Sequence, residues 1–143
     1  MATLRGSCHC GGVGFEFPDE FEFMSFCHCT TCKKLSGGVG TASGRIRTAA
    51  IAVLSGEELL RTYQPEEGSA KMFCSTCGSN LFGNGWPESE LTSVRLSAID
   101  TPFEGRPRGH IYVRSVAPWE TLPEDGLERF EAESRPVRRQ RQA

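Results

Sequence analysis

Seven cysteines fall in three short clusters, Cys8-x-Cys10, Cys27-x-Cys29-x-x-Cys32 and Cys74-x-x-Cys77. No other feature of the 143-residue chain restricts its fold as strongly. Disulfides consume cysteines in pairs, so an odd number leaves one over. Zinc takes four thiolates in a closed structural site, and about three where one coordination position stays open for chemistry. A partition into four and three accounts for every thiol. The count therefore points to two zinc sites, one closed and one with room for a water or a substrate.

Composition limits what surrounds those sites. A chain of this length fits one domain with a real core. Hydrophobic content of 38% and 16 glycines indicate a globular, turn-rich protein. No apolar run approaches the ~20 residues that span a bilayer, and the opening MATLRGSCHC has no apolar signal core. A cytoplasmic location without a membrane partner is expected. In that reducing compartment clustered cysteines serve as metal ligands or redox groups more often than as disulfides. The net charge of −2 hides an asymmetry: the last ten residues carry Arg135, Arg138, Arg139 and Arg141 and no acid, so residues 1–133 sum to −6 (−2 minus 4). Residues 134–143 are expected to form a basic, flexible tail. Four arginines without an aromatic, beside an acidic body, make a weak nucleic-acid signal, and a solvated terminus is the preferred reading.

The dominant periodicity is two. Val13 to Phe17 and Phe21 to Phe26 alternate as half-buried strands do, with Pro18-Asp19-Glu20 as the turn between them. Ala50 to Leu54, Leu59 to Tyr63, Ala70 to Phe73, Leu91 to Leu96 and His110 to Val113 add further short strands, separated by glycine, proline and serine clusters. No stretch reads as an amphipathic helix, and Thr30 to Leu35 is expected to form one turn. After Val113 the chain reads as an extended or turn-rich arm. These signals predict a small, mainly β domain.

Each cysteine cluster has its own chemistry. In Cys8-His9-Cys10 the thiols would share one face of an extended backbone, with His9 on the other. Gly11-Gly12 then lets the chain turn close to a ligand. Cys74-Ser75-Thr76-Cys77-Gly78 resembles a zinc knuckle, in which a tight turn brings two sulfurs to ~2.3 Å from one metal. Two such half-sites would make a closed four-sulfur centre that contributes directly to folding. The competing reading is a redox Cys-x-x-Cys, for which the βαβ context is missing. The middle cluster places three thiols within six residues, enough for one zinc with a vacant corner. Such a centre carries a net −1 charge and favours a further soft ligand, an exogenous thiol held as a thiolate nucleophile. Lys33 and Lys34 would lower nearby thiol pKa values and attract an anionic substrate. The alternatives are a second structural site completed by His28, His110 or a carboxylate, a metal-free redox trio, or lysines that are plain solvated charges. His28 and His110 are the only histidines placed to carry protons near these motifs, and each is expected at the surface or behind the ligands. Spacing alone also allows Cys27-x-Cys29 to pair with Cys74-x-x-Cys77.

The strings GSCHCGGV, FCHCTTCKK and FCSTCGS, followed by HIYVRSVAPWETLPEDGLERFE, occur in an order that resembles the glutathione-dependent formaldehyde-activating family, to which centromere protein V is also related. The similarity spans roughly residues 5–131. It implies a β-tent zinc-binding fold of small antiparallel sheets with little helix, over a single domain of residues 1–133. It further implies a structural zinc on Cys8, Cys10, Cys74 and Cys77 and a catalytic, more labile zinc on Cys27, Cys29 and Cys32. The implied activity is that of a carbon–sulfur lyase forming or cleaving S-hydroxymethylglutathione, with glutathione as the small-molecule partner. The competing class is a non-catalytic binding module whose zincs only stabilise the fold. What separates the two is whether the middle cluster has a fourth protein ligand.

Overall fold

Alternating burial organises most of the backbone into short strands. The computed structural model describes residues 2–133, and the expected basic tail lies outside the described residues. Among the described residues there are eleven strands and one α-helix, with four single-turn 3-10 segments between them. The chain gathers into two units, one of residues 2–22 with 44–105, the other of residues 23–43 with 106–133. None of the described helices is long and apolar enough to cross a membrane.

In the first unit, β1 (Thr3–Ser7), β2 (Gly14–Pro18) and β5 (Ala52–Ser55) form an antiparallel sheet in the order β1-β2-β5. The strands β6 (Leu60–Tyr63), β7 (Lys71–Cys74), β8 (Asn80–Gly83) and β9 (Leu91–Arg95) pair antiparallel in sequence order. Period two is plain in β2, where Phe15 and Phe17 are buried between the more exposed Gly14, Glu16 and Pro18. Phe15 meets Phe82 edge to face at 4.9 Å, and Leu4, Val13, Ile46, Leu81 and Val94 complete a core from which solvent is almost excluded. Burial of each such side chain stabilises by roughly 1.5–3 kcal/mol. Cys8 and Cys74 belong to the same core, which sets one sulfur cluster at its edge.

In the second unit, β10 (Gly109–Ile111) lies between β3 (Phe23–Cys27) and β11 (Glu128–Arg129) and pairs parallel with both. The helix α1 (Thr30–Ser36) follows β3 and makes nearly two turns where one was expected. Gly37 ends it in the left-handed region at φ 69°, donating its N–H to the Lys33 carbonyl, the usual role of glycine at a helix C-terminus.

The strands expected from alternation all occur, with shifted ends. Four that were not expected are β1, β4 (Thr41–Arg47), β8 and the two-residue β11, which falls in the arm read as extended. In β4 the inward positions are Gly44 and Ile46, so half of its apolar signal is a glycine. In β1 the second inward residue is Gly6, where a Cβ would lie 2.4 Å from the Phe15 ring. Close approach of the core there excludes the side chain that would have marked the strand.

Candidate metal centres

Two turns build the first centre. Cys8 and Cys10 lie just past the end of β1 on a turn closed by the Gly11 N–H on the Cys8 carbonyl at 3.0 Å, not on the extended backbone expected. The Gly11 φ of 78° lets the chain reverse there, and the two sulfurs come to 3.5 Å. The second turn links β7 to β8. Gly78, at φ 81°, donates its N–H to the Cys74 carbonyl at 2.7 Å, and Cys74 donates its own to Ser79 at 2.9 Å. The sulfurs of Cys8, Cys10, Cys74 and Cys77 all lie within 4.8 Å of one another.

Electrostatics in this quartet favour thiolates at two positions. The Ser79 hydroxyl, 3.2 Å from the Cys77 sulfur, and the Ser79 backbone N–H bring that thiol down to about 5. Burial pushes Cys8 up, but the Val13 N–H and the sulfurs of Cys10 and Cys74 outweigh it and leave the thiol lowered. Cys10 receives the Gly12 N–H, which lowers it, yet the surrounding sulfurs, Cys8 foremost, raise it to about 11. Four thiols this close ionise together only around a cation, and a tetrahedral sulfur set is what a divalent metal of zinc's softness takes.

The second centre is local in sequence. Cys27 ends β3, Cys29 precedes α1 and Cys32 lies in its first turn, so one strand-to-helix junction delivers three sulfurs within 4.8 Å of one another. The Cys29 sulfur also caps the helix, accepting the Cys32 N–H at 3.2 Å. Gly40 passes so close that a Cβ there would lie 2.2 Å from the Cys27 carbonyl oxygen. Cys29 and Cys32 push the Cys27 thiol far up, and burial adds to this. Cys29 is drawn down by Cys27 and pushed further up by Cys32 and by burial, with a net rise. Three thiols so crowded again call for a cation. Either cluster can therefore hold a metal ion.

Neither histidine belongs to the sulfur trio. His28 and His110 are both buried, and the His28 Nε2 lies 2.9 Å from the His110 Nδ1. His110 Nε2 lies 2.8 Å from Asp125 Oδ2, and that bond holds the Asp125 carboxyl below its ordinary range. His28 Nδ1 donates to the Val39 carbonyl at 3.3 Å and lies 3.8 Å from Glu120 Oε2. Burial lowers the His28 ring, against the pull of Val39 and Glu120. Lys33 is tied to the Ser115 carbonyl. Sequence reasoning did not single out Asp125, Glu120 or Tyr112. Tyr112 stands out in the structure for its positive φ of 59°, and its hydroxyl is raised by burial and by the charges of Glu133, Cys27 and Cys29. Asp125 carries a weak sequence signal, since Pro123-Glu124-Asp125-Gly126 is a turn former.

A mainly β fold with one short helix and two sulfur clusters defines a small class of cysteine-bearing proteins able to bind metal. Residues 3–115 match the family described as glutathione-dependent formaldehyde-activating enzyme, and the chain belongs to that family. A protein of Halomonas elongata named for glutathione-dependent formaldehyde activation is 36% identical over 126 residues, covering 81% of this chain and 78% of its own. A crystal structure of a Rhodobacter sphaeroides protein has a similar fold, with a TM-score of 0.57 and 22% identity, covering 88% of this chain and 98% of the other.

Proposed function

We propose that the protein is a zinc-dependent carbon–sulfur lyase of the S-hydroxymethylglutathione synthase type, acting in the cytoplasm. In this reading residues 1–133 form one functional domain of β-tent type. Cys8, Cys10, Cys74 and Cys77 hold a structural zinc, and Cys27, Cys29 and Cys32 hold a catalytic one. The observation that carries it is the make-up of the second cluster: three sulfurs converge, and neither His28 nor His110, both engaged with each other, joins them. A closed structural site would need a fourth ligand, and an open one does not. Family membership supplies the substrate class.

Zinc bound by three thiolates would supply a position at which a substrate thiol is held as thiolate at neutral pH. The residues around it fix the three sulfurs on a strand-to-helix junction, with His28 buried between Cys27 and Cys29. In the synthetic direction the glutathione sulfur forms a bond to the formaldehyde carbon. The carbonyl π pair moves to oxygen, and the proton lost from the thiol is replaced by one on that oxygen. Cleavage is the reverse.

Metal analysis of the purified protein tests this. Two zincs per chain are expected, one lost readily to dialysis and retained when glutathione is present. One tight zinc per chain, indifferent to thiols, would sink the reading.

A further inference from the structure

Residues 111–115, in the second unit, are fastened at both ends to the stretch that carries the sulfur trio. At one end Ile111 pairs with Cys27, and its carbonyl accepts the His28 N–H at 3.0 Å. At the other, the ammonium of Lys33, next to Cys32 in sequence, donates to the Ser115 carbonyl. Tyr112, Val113 and Arg114 therefore run alongside the junction that holds the three sulfurs. Their backbone is tied on a further side, by the Tyr112 N–H on the Ala132 carbonyl at 2.9 Å and the Val113 N–H on the Phe130 carbonyl at 3.1 Å. Tyr112 makes the reversal that begins this run, in the left-handed region at φ 59° and ψ 39°. A bulky side chain rarely adopts that conformation, and backbone held there by its surroundings is concentrated at sites that take ligands.

What the reversal presents is a cation. The Arg114 guanidinium carbon lies 5.7 Å from the centre of the Tyr112 ring, within cation–π reach. Stacking uses the flat face of the guanidinium and leaves its N–H fork for a carboxylate. Arg114 is exposed, and among the described residues no ion pair joins it to a carboxylate. The acid that acts most on this spot is Glu133, whose charge, with those of Cys27 and Cys29, reaches the Tyr112 hydroxyl. Lys33 is engaged with Ser115, which leaves Lys34, exposed on α1, as the competing cation.

We propose that Arg114, braced on the Tyr112 ring, binds a carboxylate of the thiol taken by the Cys27, Cys29 and Cys32 centre. The ligand class is an anionic thiol whose carboxylate lies several bonds from the sulfur, and glutathione, with a carboxylate at each end, belongs to it. This rests on the reading that the trio holds a metal ion that accepts a substrate thiol. Three thiolates around a divalent ion sum to −1, so the centre by itself repels such a ligand. A cation fixed beside it decides whether anionic or neutral thiols bind better, which makes Arg114 a specificity-determining residue.

Protection of the labile ion tests this without turnover. The zinc-loaded full chain is given a chromophoric chelator, and release of the more labile zinc is followed against rising glutathione or its diethyl ester, in which both carboxylates are masked. In the wild type, glutathione should halve the release rate at a concentration about tenfold below that of the ester, the size of one charge-assisted contact. Arg114→Ala should raise the glutathione concentration needed about tenfold and leave that of the ester unchanged. The Arg114 side chain is exposed, so its removal leaves the core intact. Arg114→Lys keeps the charge without the fork and should fall between, while Lys34→Ala should keep the full preference. Equal protection by both thiols in the wild type overturns the inference. So does a preference that survives Arg114→Ala or vanishes in Lys34→Ala, or an Arg114→Ala effect equal for glutathione and ester. A protein that shows the Arg114-dependent preference without accelerating glutathione–formaldehyde exchange keeps this inference and loses the proposed reaction. One that accelerates the exchange with a preference indifferent to Arg114 does the reverse.

Discussion

Cys29 has two roles that serine would separate. Its sulfur accepts the Cys32 N–H at the start of α1, and it is one of the three proposed ligands of the open centre. A serine hydroxyl is among the best helix N-caps, so Cys29→Ser should leave α1 formed while removing a thiolate. The expected result is a folded protein with one zinc per chain and no acceleration of glutathione–formaldehyde exchange; full activity in this variant would remove Cys29 from the site. Asp125 makes a different prediction at the same scale. Its hydrogen bond from His110 holds the carboxyl below the ordinary value of 3.8. A depressed carboxyl adds stability above its unfolded pKa and loses it as the pH falls through the folded one. Urea unfolding should therefore find the wild type more stable than Asp125→Asn at neutral pH, with the gap closing only below about pH 4 as the carboxylate takes up its proton. A gap that is constant down to pH 2 would show that the carboxylate charge is not what matters.

At the scale of elements, the junction from β3 to α1 is where sequence and structure agree most closely. Three cysteines in six residues were legible because their spacing is local. What could not be read was their support. Gly40 looks like any loop glycine, yet it leaves room for the Cys27 carbonyl. Gly40→Ala should force the ligand segment to shift and lose the labile metal while the tighter one stays, as mass spectrometry under native conditions would reveal; retention of both ions would mean the segment adapts at no cost. Strands with alternating phenylalanines were legible for the same local reason. The strands β1 and β4, whose inward positions include Gly6 and Gly44, were hidden because a glycine stands where an apolar side chain would announce a strand, and at Gly6 the Phe15 ring leaves no room for one. Asp125 was hidden for the opposite reason. Its partner His110 is 15 residues away, and only parallel pairing around β10 reveals it.

At the scale of the whole chain, the two clusters differ in how much backbone they constrain. Cys10 and Cys74 are 64 residues apart in sequence, so a metal on the quartet closes a long loop that an unfolded chain would leave open. By the loop-closure argument used for disulfides, such a cross-link stabilises by roughly 4 kcal/mol. A link from Cys27 to Cys32 closes a loop of a few residues and yields about half that at most. The quartet also borders the core through Cys8 and Cys74, so removing its metal exposes crowded thiols beside buried apolar side chains. Cys77→Ser should therefore lower the melting temperature by ten degrees or more, or leave the protein insoluble. Cys29→Ser should shift it by only a few degrees, since 1 kcal/mol corresponds to roughly 2–4 °C in a domain near 150 residues. Calorimetry on both variants decides the matter. Equal shifts would mean that the division into a closed stabilising centre and an open chemical one does not hold, because a metal that constrains little chain cannot matter as much to folding as one that constrains half of it.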